Sequence, residues 1–244
     1  MSDVAVFDRL FGAGGHTVEI SGHLVRGGAQ VAGRPVAVIG TWNAAAVDGD
    51  LALAVSAAVL QVVAEDAKAG ATPRPIVFIA DTQGQELSRR EELLGLNGCF
   101  AHVARCVDLA RRRGHPTLTL IHGEAVSGGF LAFGLVADRV CALPGAQVRV
   151  MDLRAMSRVT KIPLERLQGL AKDSPVFAPG ADNYWRMGAV DELWPDTDEG
   201  WDERLAAALA AVASAPEGDR RAAIGAERGG RTLAEAVAAA VRDA

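Results

Sequence analysis

The sequence predicts an α/β fold: a spiral of stacked strand–strand–helix (ββα) units with a helical C-terminal segment. Three observations carry that expectation. The apolar, β-branched runs Pro75–Ala80 and Thr117–Ile121 read as buried strands, and each leads into a glycine turn. About forty residues separate the two turns, which leaves room for a crossover helix over Arg90–Arg113. A helical crossover makes the strands parallel and puts both turns at one sheet edge. Finally, half of the 244 residues are apolar and only 5% aromatic, a composition suited to closely packed α/β layers.

Taken in order, Val18–Val25 reads as a strand interrupted by Gly22, and Arg34–Gly40 as a second, with Gly27 and Gly28 in the turn between them. Leu51–Ala69 has helical composition, with Leu53, Ala57, Leu60 and Ala64 along one face. The strand ending at Ile121 passes into a buried helix over Gly129–Val136, and Arg139–Leu143 and Val148–Met151 read as short strands. Beyond Pro144 the pattern turns helical. Pro163–Ala171 starts with a proline tolerated in a first turn. Asn183–Met187 is ended by Gly188, and Asp202–Ala244 reads as two helices around Gly225–Gly230. With no low-complexity linker and no internal repeat, residues 1–244 are expected to form a single domain.

Charge and composition exclude several classes. The net charge is −5, and the longest basic run, Arg111–Arg113, reads as a solvated helix end, so nucleic acid is not an expected partner. Cys99, Cys106 and Cys141 show no paired spacing and fit small core residues in a reduced, cytoplasmic setting. The segment Met1–Leu10 carries Asp3 and Asp8 and lacks the pattern of a signal peptide. No uncharged apolar run approaches the roughly 18 residues of a membrane span, so no membrane partner is expected. His16, His23, His102, His115 and His122 show no metal-ligand spacing, and no metal is expected.

The chemistry is expected at the two turns. In His122–Leu131 the chain passes from strand to helix through Gly128-Gly129, aiming backbone N–H groups at whatever lies in the turn. Such donors suit a developing oxyanion, above all a thioester enolate. One N–H from near Gly84 and one from Gly128 or Gly129 are expected to converge on a single oxygen. Gln83, Ser127 and Phe130 flank them as candidate substrate contacts, and His122 and Glu124 as possible proton donors.

Three segments carry a family resemblance: Phe78–Gly84 (FIADTQG), Ile121–Gly129 (IHGEAVSGG) and Met187–Leu193 (MGAVDEL). Over roughly residues 75–194 the chain resembles the crotonase-like superfamily and its carboxyltransferase branch. The first two segments are similar to the Asp-Thr-Pro-Gly and Gly-Glu-x-x-Ser-Gly-Gly segments of acetyl-CoA carboxylase alpha subunits. Over its whole length the chain resembles the malonate decarboxylase gamma-subunit family, which Gln83 in place of proline and the Val148–Arg154 segment both fit. That resemblance implies a pair formed with a beta subunit, acting on a malonyl thioester carried by an acyl carrier protein subunit. It implies no cofactor bound directly by this chain, the carrier bearing a CoA-derived phosphopantetheine-type arm. A carboxyltransferase passing the carboxyl group to or from biotin would share these motifs, as would a non-catalytic structural subunit.

Two other readings weaken on particular residues. Hydratases and isomerases of the superfamily place a glutamate where this chain has Leu131, and without it water addition lacks a general base. Ser127 stands where Clp-type proteases carry their nucleophile, but no histidine follows His122 to activate it.

Overall fold

The computed structural model describes residues 3–173, 178–196, 199–215 and 218–244. Helix α1 (Asp3–Phe11) leads into an antiparallel ribbon of β1 (Glu19–Ser21), β2 (Leu24–Val31) and β3 (Arg34–Thr41), followed by β4 (Ala45–Val47) and α2 (Gly49–Ala69). Next come β5 (Ile76–Gln85), α3 (Arg89–Leu94), α4 (Leu96–Arg112), β6 (Thr117–Val126), α5 (Ser127–Leu131), β7 (Arg139–Ala142) and β8 (Gln147–Arg149). The remainder is α6 (Leu153–Thr160), α7 (Leu164–Asp173), α8 (Ala181–Arg186), the two-residue β9 (Glu192–Leu193), α9 (Trp201–Ser214), α10 (Arg221–Glu227) and α11 (Ala234–Arg242).

Strands β5 and β6 are parallel over Ile76–Ala80 and Thr117–Ile121, as the crossover argument requires. Their side chains alternate between two cores. Ile76, Phe78, Ala80 and Ile121 pack under α2, α4 and α5, whereas Val77, Ile79, Leu118 and Leu120 pack under α1 and α9. Each fully buried Ile, Leu or Phe contributes about 1.5–3 kcal/mol of transfer free energy. Helix α2 is fixed at both ends, by Asp48 accepting the Leu51 N–H (2.8 Å) and by Gly70 in the left-handed conformation.

Halfway along, both central strands change neighbours. The first half of β5 pairs with β3 and its second half with β4; the first half of β6 pairs with β7 and its second half with β8. The change falls at a bulge, where one residue of β5, Asp81, lies opposite His122, Gly123 and Glu124 of β6. Buried Asp81 accepts the Glu124 N–H through Oδ1 (3.0 Å). Gly123 has φ +78°, and a Cβ there would lie 2.6 Å from Asp81 Oδ1. This change of partners at the bulge, within one nine-stranded sheet, is the spiral step that the ββα pattern predicts.

Several elements differ from expectation for identifiable reasons. Gly27 and Gly28 lie inside β2, not in a turn; a Cβ at Gly27 would come 2.5 Å from the Thr17 carbonyl oxygen, and the turn is at Ala32-Gly33. Strands 75–80 and 117–121 extend to Gln85 and Val126 because β4 and β8 continue the ladder past the bulge. The helix over 90–113 is broken at Gly95, the left-handed cap of α3. Helix 129–136 is the five-residue α5, after which Gly134 and Leu135 both bond the Phe130 carbonyl in tight turns. On α2 the buried face is Ala52, Val55, Ser56, Val59 and Val63; Leu53, Ala57 and Ala64 face solvent. The tail forms three helices rather than two, and Pro216 and Glu217, within that stretch, lie outside the described residues. Elements α1, β4, α6 and β9 carry too few periodic residues to be read from sequence.

The bulge and the cysteines supply two expectations. Gly123→Ala should lower stability by about 2–3 kcal/mol, since a left-handed backbone and a clash with Asp81 act together. A urea midpoint equal to wild type would mean that the bulge relaxes freely. Burial pushes the Cys106 and Cys141 thiols upward, whereas Cys99 is half-buried. Cys99 alone should be alkylated by iodoacetamide in the native protein, with the other two labelled only in denaturant, as mass spectrometry would show.

Candidate active site at the two glycine turns

The ends of β5 and β6 bring the two predicted turns into van der Waals contact. A Cβ on Gly84 (φ +109°) would lie 3.3 Å from Ser127 Cβ, and one on Gly129 would lie 2.7 Å from Thr82 Oγ1 and 3.0 Å from the Gly84 carbonyl carbon. Gly129 is therefore required by close approach: α5 sits against the β5 turn with no room for a methyl group. Thr82, fully buried, ties the arrangement to β4 by donating its hydroxyl to the Ala45 carbonyl (2.6 Å).

The same threonine decides where one expected donor points. The Gly84 N–H is directed at Thr82 Oγ1 (3.0 Å), inside its own turn. The convergence occurs one step further along. Gln85 Oε1 accepts the Ser127 hydroxyl at 2.9 Å and the Gly128 N–H at 3.3 Å, so two donors from the β6 turn meet on one sp² oxygen. Ser127, whose backbone is left-handed (φ +49°), opens α5. With only five residues, α5 has little macrodipole, and the geometry of the two donors matters more than the helix end.

The other expected residues lie around this point at different depths. Gln83 is exposed, at the tip of the β5 turn. Phe130, expected beside substrate, is 1% exposed and packs into the core under α4, because the short α5 turns it inward. Glu124 is half-buried and ion-paired with Arg149 of β8 (2.7 Å). His122 stacks on buried Trp42, with ring centroids 4.5 Å apart at 20°. Trp42 belongs to the core under α1, so His122 lies on the sheet face opposite α5. Asp81 and Thr82 stand in the Asp-Thr-Pro-Gly-like segment and Gln85 just past it, but sequence reasoning assigned them no role, since each acts through a partner some 40 residues away in sequence. Among the described residues no cluster of three or more His, Cys, Asp or Glu is placed to hold a metal ion. No helix among them is long and apolar enough to cross a membrane.

Parallel strands that change partners at a bulge and meet in paired glycine turns define a crotonase-type fold of the carboxyltransferase kind. The family model described as malonate decarboxylase gamma subunit matches residues 43–244, and the chain belongs to that family. It is 36% identical over 180 residues to the malonyl-S-ACP:biotin-protein carboxyltransferase MADD of Malonomonas rubra, covering 70% of this chain and 62% of that protein. The chain thus spans less than two thirds of the length of the curated relatives it matches. Among solved structures it is similar to a chain of a Pseudomonas malonate decarboxylase hetero-tetramer in complex with coenzyme A, with TM-score 0.80, 28% identity and 98% of both chains covered. Transcarboxylase 12S shares the fold, with TM-score 0.68 and 19% identity over 88% of this chain and 41% of that one. The relatives are carboxyltransferase-type enzymes.

The contact between turns is open to a direct check. Gly129→Ala should force α5 away from Thr82 and Gly84 and cost about 2 kcal/mol. In a chain of this size that is a fall of roughly 4–8 °C in Tm by calorimetry.

Proposed function

We propose that this chain is one half of a malonyl-thioester decarboxylase, working with a beta-type carboxyltransferase subunit on malonyl-S-acyl carrier protein. The observation that carries the proposal is the pair of donors, Ser127 Oγ–H and Gly128 N–H, aimed at one carbonyl-type oxygen. In the reaction the bond from the α-carbon to the carboxylate breaks and CO2 leaves. The electron pair passes into the thioester, whose oxygen becomes an enolate. The two donors stabilise that oxygen, and protonation at carbon then gives the acetyl thioester. A donor that strengthens as charge develops lowers the barrier by about 3–4 kcal/mol. The substrate would arrive on the phosphopantetheine-type arm of the carrier.

For the proton, neither candidate is poised to donate: Glu124 is ion-paired with Arg149 and His122 is stacked on Trp42, so water or a group of the beta-type subunit supplies it in this reading. The name of the Malonomonas rubra relative favours a second reading, in which the carboxyl group passes to biotin instead of leaving as CO2. Both share the enolate and its donors, and differ only in what receives the carboxyl carbon.

The test uses the chain assembled with its beta-type partner and a malonyl thioester. Ser127→Ala should lower kcat by about 10²–10³, the cost of one oxyanion donor, with the assembly intact by gel filtration. Dissociation of the assembly would support a structural role instead, and unchanged kcat would remove Ser127 from the chemistry. Turnover that requires a biotinylated acceptor would select carboxyl transfer.

A further inference from the structure

The oxygen on which the donors converge belongs to the protein, and this has a consequence for substrate affinity. Gln85 is the last residue of β5, and its backbone is held in register with Val47 of β4. Its Cα is therefore fixed, while its half-buried side chain reaches across to a turn more than 40 residues away in sequence. There its amide oxygen takes both the Ser127 hydroxyl and the Gly128 N–H. An amide carbonyl and a thioester carbonyl are both sp² acceptors, and the amide is the more basic of the two. The Phe100 ring packs against the same turn, so that a Cβ at Gly128 would lie 3.1 Å from it and 3.2 Å from Gln85 Oε1.

From this geometry we infer that the Gln85 side-chain amide is an internal surrogate for the substrate's thioester carbonyl. Substrate binds by displacing it. Gln85 is thus an affinity-setting residue, resting on the oxyanion role of Ser127 and Gly128 given above. Exchange of one neutral acceptor for another keeps both donors satisfied throughout, where a buried unpaired donor would be costly. It also taxes ground-state binding: the substrate must replace a bond already made, while the enolate, bearing charge, gains more from the same donors.

The experiment compares the wild-type assembly with Gln85→Ala and Gln85→Glu. It measures kcat and KM for a malonyl thioester, and calorimetric binding of a malonyl-pantetheine analogue with an amide in place of the thioester. Removing the surrogate oxygen should tighten analogue binding and lower KM by about 5–10-fold. The Gln85→Glu carboxylate should accept more strongly from both donors, raising KM at least about tenfold, with partial relief as pH falls and the carboxylate protonates. If Gln85→Ala does not assemble, Gln85→Met keeps the chain length without the oxygen and carries the same expectation. A fall in kcat with unchanged or weaker analogue binding in Gln85→Ala would overturn the surrogate role and make Gln85 a latch that holds α5 in place. A wild-type assembly that neither turns over malonyl thioester nor binds the analogue would instead overturn the oxyanion reading beneath it.

Discussion

One hydrogen bond organises this molecule: Asp81 Oδ1 accepting the Glu124 N–H across the bulge between β5 and β6. At that point β6 has spent three residues against one of β5, leaving ladder groups to be satisfied by something other than the neighbouring backbone. A buried carboxylate oxygen does so, and Gly123 makes room for it. Everything downstream follows in register. Past the bulge β5 finds β4 and β6 finds β8, and the two strand ends arrive with Gly84 and Ser127 in contact. The start of β6 is pinned by a second carboxylate. Asp138 accepts both the Thr117 N–H (3.0 Å) and the Thr117 hydroxyl (2.7 Å), while Arg111 bonds its other oxygen (2.6 Å).

Charge does little to hold the site together and more to align it. The Glu124–Arg149 pair joins β6 to β8, yet both side chains are a quarter to a third exposed, a setting where such a pair contributes at most about 1 kcal/mol. The groups that face the converging point are neutral: a serine hydroxyl, a backbone amide and a glutamine. Neutral, fixed dipoles cost little to bury when paired and require no reorganisation as negative charge develops.

How much of this the sequence disclosed depended on whether the cause was local. The two β-branched runs, the crossover between them and the glycine turns are local patterns, and they put β5, β6 and the site edge where they belong. The motif segments led to the right family. What sequence could not show was direction. Gly84 looked like a donor by its position, but Thr82 turns its N–H inward. Phe130 looked like a contact beside the turn, but a five-residue helix rotates it into the core. His122 sat in the motif, but strand alternation carries it to the Trp42 side. Gln85, one residue past the motif, acquires its meaning only from the start of a helix 42 residues on.

The parallel pairing of β5 with β6 also bears on how the protein acquires its site in time. Ile76 must find Thr117 across an intervening segment that includes α3 and α4. Pairings of that separation pay loop-closure entropy before they repay it, and folds dominated by them reach the native state in milliseconds to seconds. The donor pair has no local precursor: neither hairpin, helix nor single turn holds Ser127 and Gln85 together. Appearance of the Ser127–Gln85 contact therefore reports the docking of β6 on β5, and a nascent chain released before β6 has docked has an exposed parallel edge in place of a site.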